Sequence, residues 1–129
     1  MAKSPVRSFE DLTVYQRLVE LHLEVNDLTM SFPRHELYEL GSQLRRSTNS
    51  IPANVAEGWN NKHVTVYLQG INRAIGELRE TRHHLTIAGR KGYLKADLLE
   101  SLLARYDECG RMLRGLELAL NRSEARSRK

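Results

Sequence analysis

Residues 97–121, DLLESLLARYDECGRMLRGLELALN, carry the pattern that decides the fold. Leu99, Leu102, Tyr106, Cys109, Leu113, Leu116 and Leu120 recur three and four residues apart, so they share one stripe of a helix. Asp97 stands where such a helix starts. An isolated amphipathic helix cannot bury its own stripe, so the rest of the chain must supply the other walls.

Working back toward the N-terminus, three more stripes of the same period appear. Val64, Leu68, Ile71, Ile75, Leu78 and Leu85 mark a helix that follows Asn60 and Asn61 as capping residues and ends between Gly89 and Gly92. Gly70 and Gly76 lie inside it, and each costs about 1 kcal/mol against alanine, so close backbone contacts are expected to offset them. Leu37, Leu40, Leu44, Ser47, Ile51 and Val55 mark another helix, running to Gly58 as a C-terminal cap. Pro52 falls inside that helix, removes a backbone donor and clashes with the preceding turn, which predicts a kink near residues 48–51. Val14, Leu18, Leu21, Val25, Leu28 and Phe32 mark the first helix, with Thr13 and Gln16 at capping-box spacing and Pro33 as its stop. Tyr15, Val19 and Leu23 add a second stripe beside it, more apolar surface than one bundle core covers.

Long helices joined by short loops favour antiparallel neighbours, so the fold class read from the sequence is all-α, an up-down-up-down antiparallel four-helix bundle with a Pro-kinked second helix. The expected organisation is an N-terminal extension at residues 1–11, the bundle at 12–121 and a basic flexible tail at 122–129. At 129 residues the chain has the size of one domain. It has no run of eighteen apolar residues and no apolar signal region, which makes a cytoplasmic, non-membrane location the default expectation. One cysteine, Cys109, forms no internal disulfide and reads as a small core residue.

The net charge of +4 is unevenly placed. Residues 34–92 hold nine Lys or Arg against five acids, and the last eight residues hold four against one, whereas residues 12–33 are net acidic. Arg45, Arg46, Arg73, Arg79 and Arg82, with Lys62, His63, His83 and His84 nearby, are the candidate phosphate contacts, because a guanidinium donates two parallel hydrogen bonds to an oxyanion. The competing reading pairs them with Glu39, Glu57, Glu77 and Glu80 in ordinary surface ion pairs.

Catalytic constellations are lacking. Glu80 and His83 have the Glu-x-x-His spacing of di-metal bundles, but the second copy such a site requires does not occur, and His83 and His84 point about 100° apart on a helix. Ser42, Ser47 and Ser50 have no nucleophile elbow around them, and no phosphate loop or dinucleotide fingerprint is present. No enzyme activity, cofactor or metal is therefore expected. Trp59, just past Gly58, reads either as a lid over the bundle end or as an exposed anchor.

The segments SFEDLTVYQ, FPRHELYELGSQLRRSTNSIPANVAEGWNNK, GELRETRHHL and GRKGYL resemble the four-helix-bundle proteins first found in intervening sequences of large-subunit ribosomal RNA genes. The likeness spans roughly residues 8–120 and is densest in SQLRR and SIPANVAEG. Its motif positions here are Gln43, Arg45, Arg46, Ser50, Pro52, Asn54, Glu57 and Gly58. The resemblance implies a bundle without enzymatic activity that forms homopentameric rings. That bundle is similar to the accessory variability proteins of diversity-generating retroelements, which partner a reverse transcriptase and bind nucleic acid. The chain departs from the pattern at Thr48, Asn49, Arg82, His83 and His84, which makes its third helix more basic. Two functions follow as expectations: a self-associating adaptor that binds RNA or DNA through the arginines, or a protein-interaction module, such as a reverse transcriptase partner, with no nucleic-acid role.

Overall fold

The computed structural model describes residues 5–127, so residues 1–4 of the expected N-terminal extension and residues 128–129 of the expected basic tail lie outside it. Four α-helices make the molecule: α1 (Thr13–Thr29), α2 (Leu40–Gly58), α3 (Val64–Arg90) and α4 (Ala96–Ser127). Short 3-10 turns at Phe9–Asp11 and Arg34–Glu36 lead into α1 and α2. α1 packs on α2 and α4, and α3 packs on α2 and α4, while among the described residues the backbones of α1 and α3 do not approach each other closely. The fold is therefore an up-down four-helix bundle in which α1 and α3 stand at opposite corners.

The stripes become the core. Leu18, Leu44, Ile51, Val55, Ile71, Leu102, Tyr106 and Leu113 are fully enclosed, and Val14, Leu21, Val25, Leu78, Leu85 and Cys109 complete the cluster. Burial pushes the Cys109 thiol up to about 11, as expected of a small core residue. Pro52 lies inside α2 and is itself buried.

The local signals at helix ends were only partly decisive. Leu12, not Thr13, holds the N-cap position of α1, and the Gln16 side chain reaches back to the Glu10 carbonyl at 2.9 Å. The capping pair sits one turn earlier, where Asp11 Oδ2 accepts from the Ser8 N–H at 3.2 Å. α2 begins at Leu40 rather than Leu37, because the chain first turns Glu36 inward, where its carboxylate accepts from Lys91 Nζ at 2.7 Å and from the Tyr93 hydroxyl at 2.9 Å. Gly58 is not the cap of α2: the left-handed residue there is Asn60, with φ 52°. Gly58 instead lies against Gly70, whose Cα is 3.2 Å from where a Gly58 methyl group would stand, so the two glycines bring α2 and α3 into backbone contact. Gly76 has no such partner, since nothing lies within 4 Å of its missing methyl. α3 ends in a Schellman motif on Gly92 at φ 81°, with Tyr93 N–H donating to Ala88 O at 2.9 Å and Gly92 N–H to Gly89 O at 3.0 Å.

α4 runs to Ser127, beyond Asn121 where the sequence reading placed the end of the bundle. Its last turns leave the core, with residues 121–127 exposed apart from Glu124. Among the described residues, no helix is long and apolar enough to cross a membrane.

Candidate nucleic-acid interface

The five arginines singled out in the sequence go to different places. Arg45 turns inward: its guanidinium donates to Thr29 Oγ1 at 2.9 Å and to the Leu37 carbonyl at 2.6 Å. It straps the start of α2 to the end of α1, in the space that Gly41 leaves by lacking a side chain. Arg46 bridges α2 to α3 by pairing with Glu77 at 3.4 Å and with Glu80. Burial, reinforced by the neighbouring Glu80, raises the Glu77 carboxyl above its ordinary value. Arg82 forms an ion pair with Asp107 of α4, Nε to Oδ1 3.0 Å apart, an exposed pair that stabilises weakly. Arg73 and Arg79 are exposed and have no ion pair or side-chain hydrogen bond among the described residues.

The remaining motif positions cluster on the inner and flanking sides of α2. Ser50 and Asn54 are tied to each other, Asn54 Nδ2 donating to the Ser50 carbonyl at 2.8 Å. Asn54, Glu57 and Gly58 then line a small cleft against Gln69, Gly70 and Arg73 of α3. Gln43 is exposed on α2. Trp59 is half-buried at the α2–α3 turn.

The solvent face of α3 has one electrostatic character. Its exposed residues are Thr65, Val66, Gln69, Asn72, Arg73, Gly76, Arg79, Arg82, His83, Thr86 and Arg90, with no carboxylate among them. The two acids of α3, Glu77 and Glu80, sit on the α2 side, where they face Arg46. From Arg73 to Arg90 this face spans about 26 Å at 1.5 Å per residue. His83 and His84 diverge as helix geometry requires, His83 exposed and His84 buried. Burial lowers the His84 imidazole below its ordinary value, so it adds no charge near neutral pH. Among the described residues, no group of three or more His, Cys, Asp or Glu is placed to hold a metal ion.

Across the α3–α4 groove, Arg111 and Arg114 face Arg79 and Arg82. Sequence reasoning missed Arg90, Arg111 and Arg114. The first was legible: positions 79, 83, 86 and 90 share a stripe that contains no acid. The α4 pair was not, because only the antiparallel packing about the Gly92 turn brings it opposite α3.

A model of the 23S rRNA-intervening sequence proteins matches residues 10–115, nearly the whole bundle. The chain belongs to that family. A solved relative of the family's fold is a protein of unknown function from the S23 ribosomal protein family of Bacteroides thetaiotaomicron, with a TM-score of 0.74 and 22% identity. The match covers 81% of this chain and 94% of that one, so the four-helix architecture is shared essentially end to end. No curated protein matches significantly. The description of the 23S rRNA-intervening sequence family names no activity.

Proposed function

We propose that the protein is a non-enzymatic, self-associating bundle of the cytoplasm that binds nucleic acid, RNA first, through the phosphates. One observation carries the reading: the two acids of α3, Glu77 and the partly exposed Glu80, are turned toward Arg46, while the rest of its exposed face is basic or neutral. A ridge of arginines without competing carboxylates attracts a polyanion through counterion release, with little dependence on base sequence. Arg45, Arg46 and Arg82 have partners within the chain, so the contacts rest on Arg73 and Arg90, with Arg79 at the edge of the α3–α4 groove. The family's description refers to ribosomal RNA intervening sequences, which makes RNA the first polyanion to offer. Self-association, in a ring of five on the family resemblance, multiplies one modest patch into a repeated one.

The test is titration of the full chain with a short duplex RNA and an unrelated duplex of equal length at low ionic strength. Equal affinity for both is expected, with a loss of at least about tenfold when Arg73, Arg79 and Arg90 are changed together to Ala. No binding by the unaltered protein ends the proposal. A second reading, a protein-interaction module such as a reverse transcriptase partner, is favoured by the carboxylates that already hold Arg46 and Arg82. Co-purification of one protein after nuclease treatment, with no RNA binding, selects it.

A further inference from the structure

The corner of the bundle diagonal to α3 has the opposite character. Along the outside of α1, Glu20, Leu23, Asp27 and Met30 follow one another at spacings of three, four and three, so they form a single ridge. Leu23 is 58% and Met30 60% exposed, among the few large apolar side chains the fold leaves in water. Neither Glu20 nor Asp27 makes an ion pair or side-chain hydrogen bond among the described residues.

The α3–α4 face is the complement. A groove of about 510 Å³ runs between the two helices, floored by Ile75 and Leu78 and walled by Arg82, Arg111, Arg114 and the 58% exposed Leu118. Gly115 leaves its middle open, with nothing within 4 Å of the missing methyl. Among the described residues Asp107 is the one carboxylate that lines it, engaged by Arg82, and Arg114 pairs with Glu117 at 2.8 Å, which leaves Arg79 and Arg111 as the unpaired cations of the walls. The lengths agree as well: Glu20 to Met30 spans about 15 Å of helix and Asp107 to Leu118 about 16 Å.

We infer that the α1 ridge of one copy of this chain docks in the α3–α4 groove of the next, with Leu23 and Met30 meeting Leu118 and the groove floor, and Glu20 and Asp27 meeting the arginine walls. Charge selects this head-to-tail arrangement over either symmetric one. Two α1 ridges brought together oppose acid to acid, and two grooves oppose arginine to arginine. Docking covers the α4 side of α3, where Arg79 and Arg82 line the groove, and leaves Arg73, His83 and Arg90 facing out, so each added copy repeats that part of the basic ridge. The inference rests on the self-association in the proposed function and is independent of whether RNA binds.

Two variants test it, both at exposed positions that the core does not use. One carries Glu20→Lys and Asp27→Lys, the other Arg111→Glu and Leu118→Glu, and each is checked for native helicity by circular dichroism. In sedimentation velocity the unaltered protein should assemble, and each variant alone should self-associate at least about tenfold more weakly. An equimolar mixture should associate again, because the intact ridge of one variant meets the intact groove of the other and the two altered faces carry opposite charges. A monomeric unaltered protein overturns the self-association itself. Assembly of either variant as tight as the original, or a mixture that stays monomeric, overturns the assignment of these two faces while leaving self-association standing.

Discussion

At Gly70 a methyl group would stand 2.7 Å from the Asn54 carbonyl oxygen and 3.2 Å from the Gly58 Cα, both backbone atoms with nowhere to go. Gly70→Ala should therefore destabilise the bundle by about 1–3 kcal/mol, overpacking outweighing the gain in helix propensity. Gly76→Ala meets open space and should stabilise by about 0.5–1 kcal/mol. Urea unfolding of the two variants decides it, and shifts of the same sign would contradict the packing described. Glu36 gives a second prediction. The Lys91 ammonium, then the Tyr93 hydroxyl, hold its carboxyl below the ordinary value of 4.5. A depressed native value means that this stabilisation is complete above about pH 4.5 and is lost as the pH falls through the native value. Glu24, held down chiefly by its hydrogen bonds with Arg105, acts in the same direction. Thermal midpoints should thus fall with acidification below that pH, and Glu36→Gln should flatten the fall. An identical acid profile in the variant would remove Glu36 from the account. Neither role was legible in the sequence, where Glu36 stood unremarked among the acids of residues 34–92 and Gly76 counted as the equal of Gly70.

At the scale of elements, the α2–α3 pair is held by more than its leucines. Ser47 and Thr81 meet between the two helices in a buried hydrogen bond of 2.9 Å. Thr81→Val keeps the volume but strands the serine hydroxyl, which should cost about 1–3 kcal/mol. The double variant Ser47→Ala, Thr81→Val should cost less than the sum of the two single changes, since no stranded group remains. Chemical denaturation of the three variants measures it, and strict additivity would show that the hydroxyls do not act together. The period of the stripes made α2 and α3 legible because burial follows the 3.6-residue repeat whatever the neighbours are. The start of α2 was not, because Leu37 fits the stripe while its carbonyl is taken by Arg45. A partner eight residues away in sequence, reached only in the folded bundle, overrode the local pattern.

For the whole molecule, the diagonal separation of an acidic, apolar α1 ridge from a basic α3 ridge is the feature with functional weight. If phosphates bind along α3, log affinity should fall linearly with log salt, and each of Arg73 and Arg90 changed to Ala should reduce the slope by roughly 0.9. Binding measured across a salt series checks this, and an unchanged slope would move the contact off α3. The sequence by itself determined the helices, their number and the residues of the core, because a helix that must hide one face writes that face into its period. It also located the basic excess between residues 34 and 92. Only the tertiary structure decided which of those arginines are available. Arg45 and Arg46 find their partners on other elements, whereas Arg73 and Arg79 have none among the described residues, and Arg111 joins the basic face from a helix that is distant in sequence. Composition counts charges, but a guanidinium's use depends on what stands within hydrogen-bonding reach once the helices have packed.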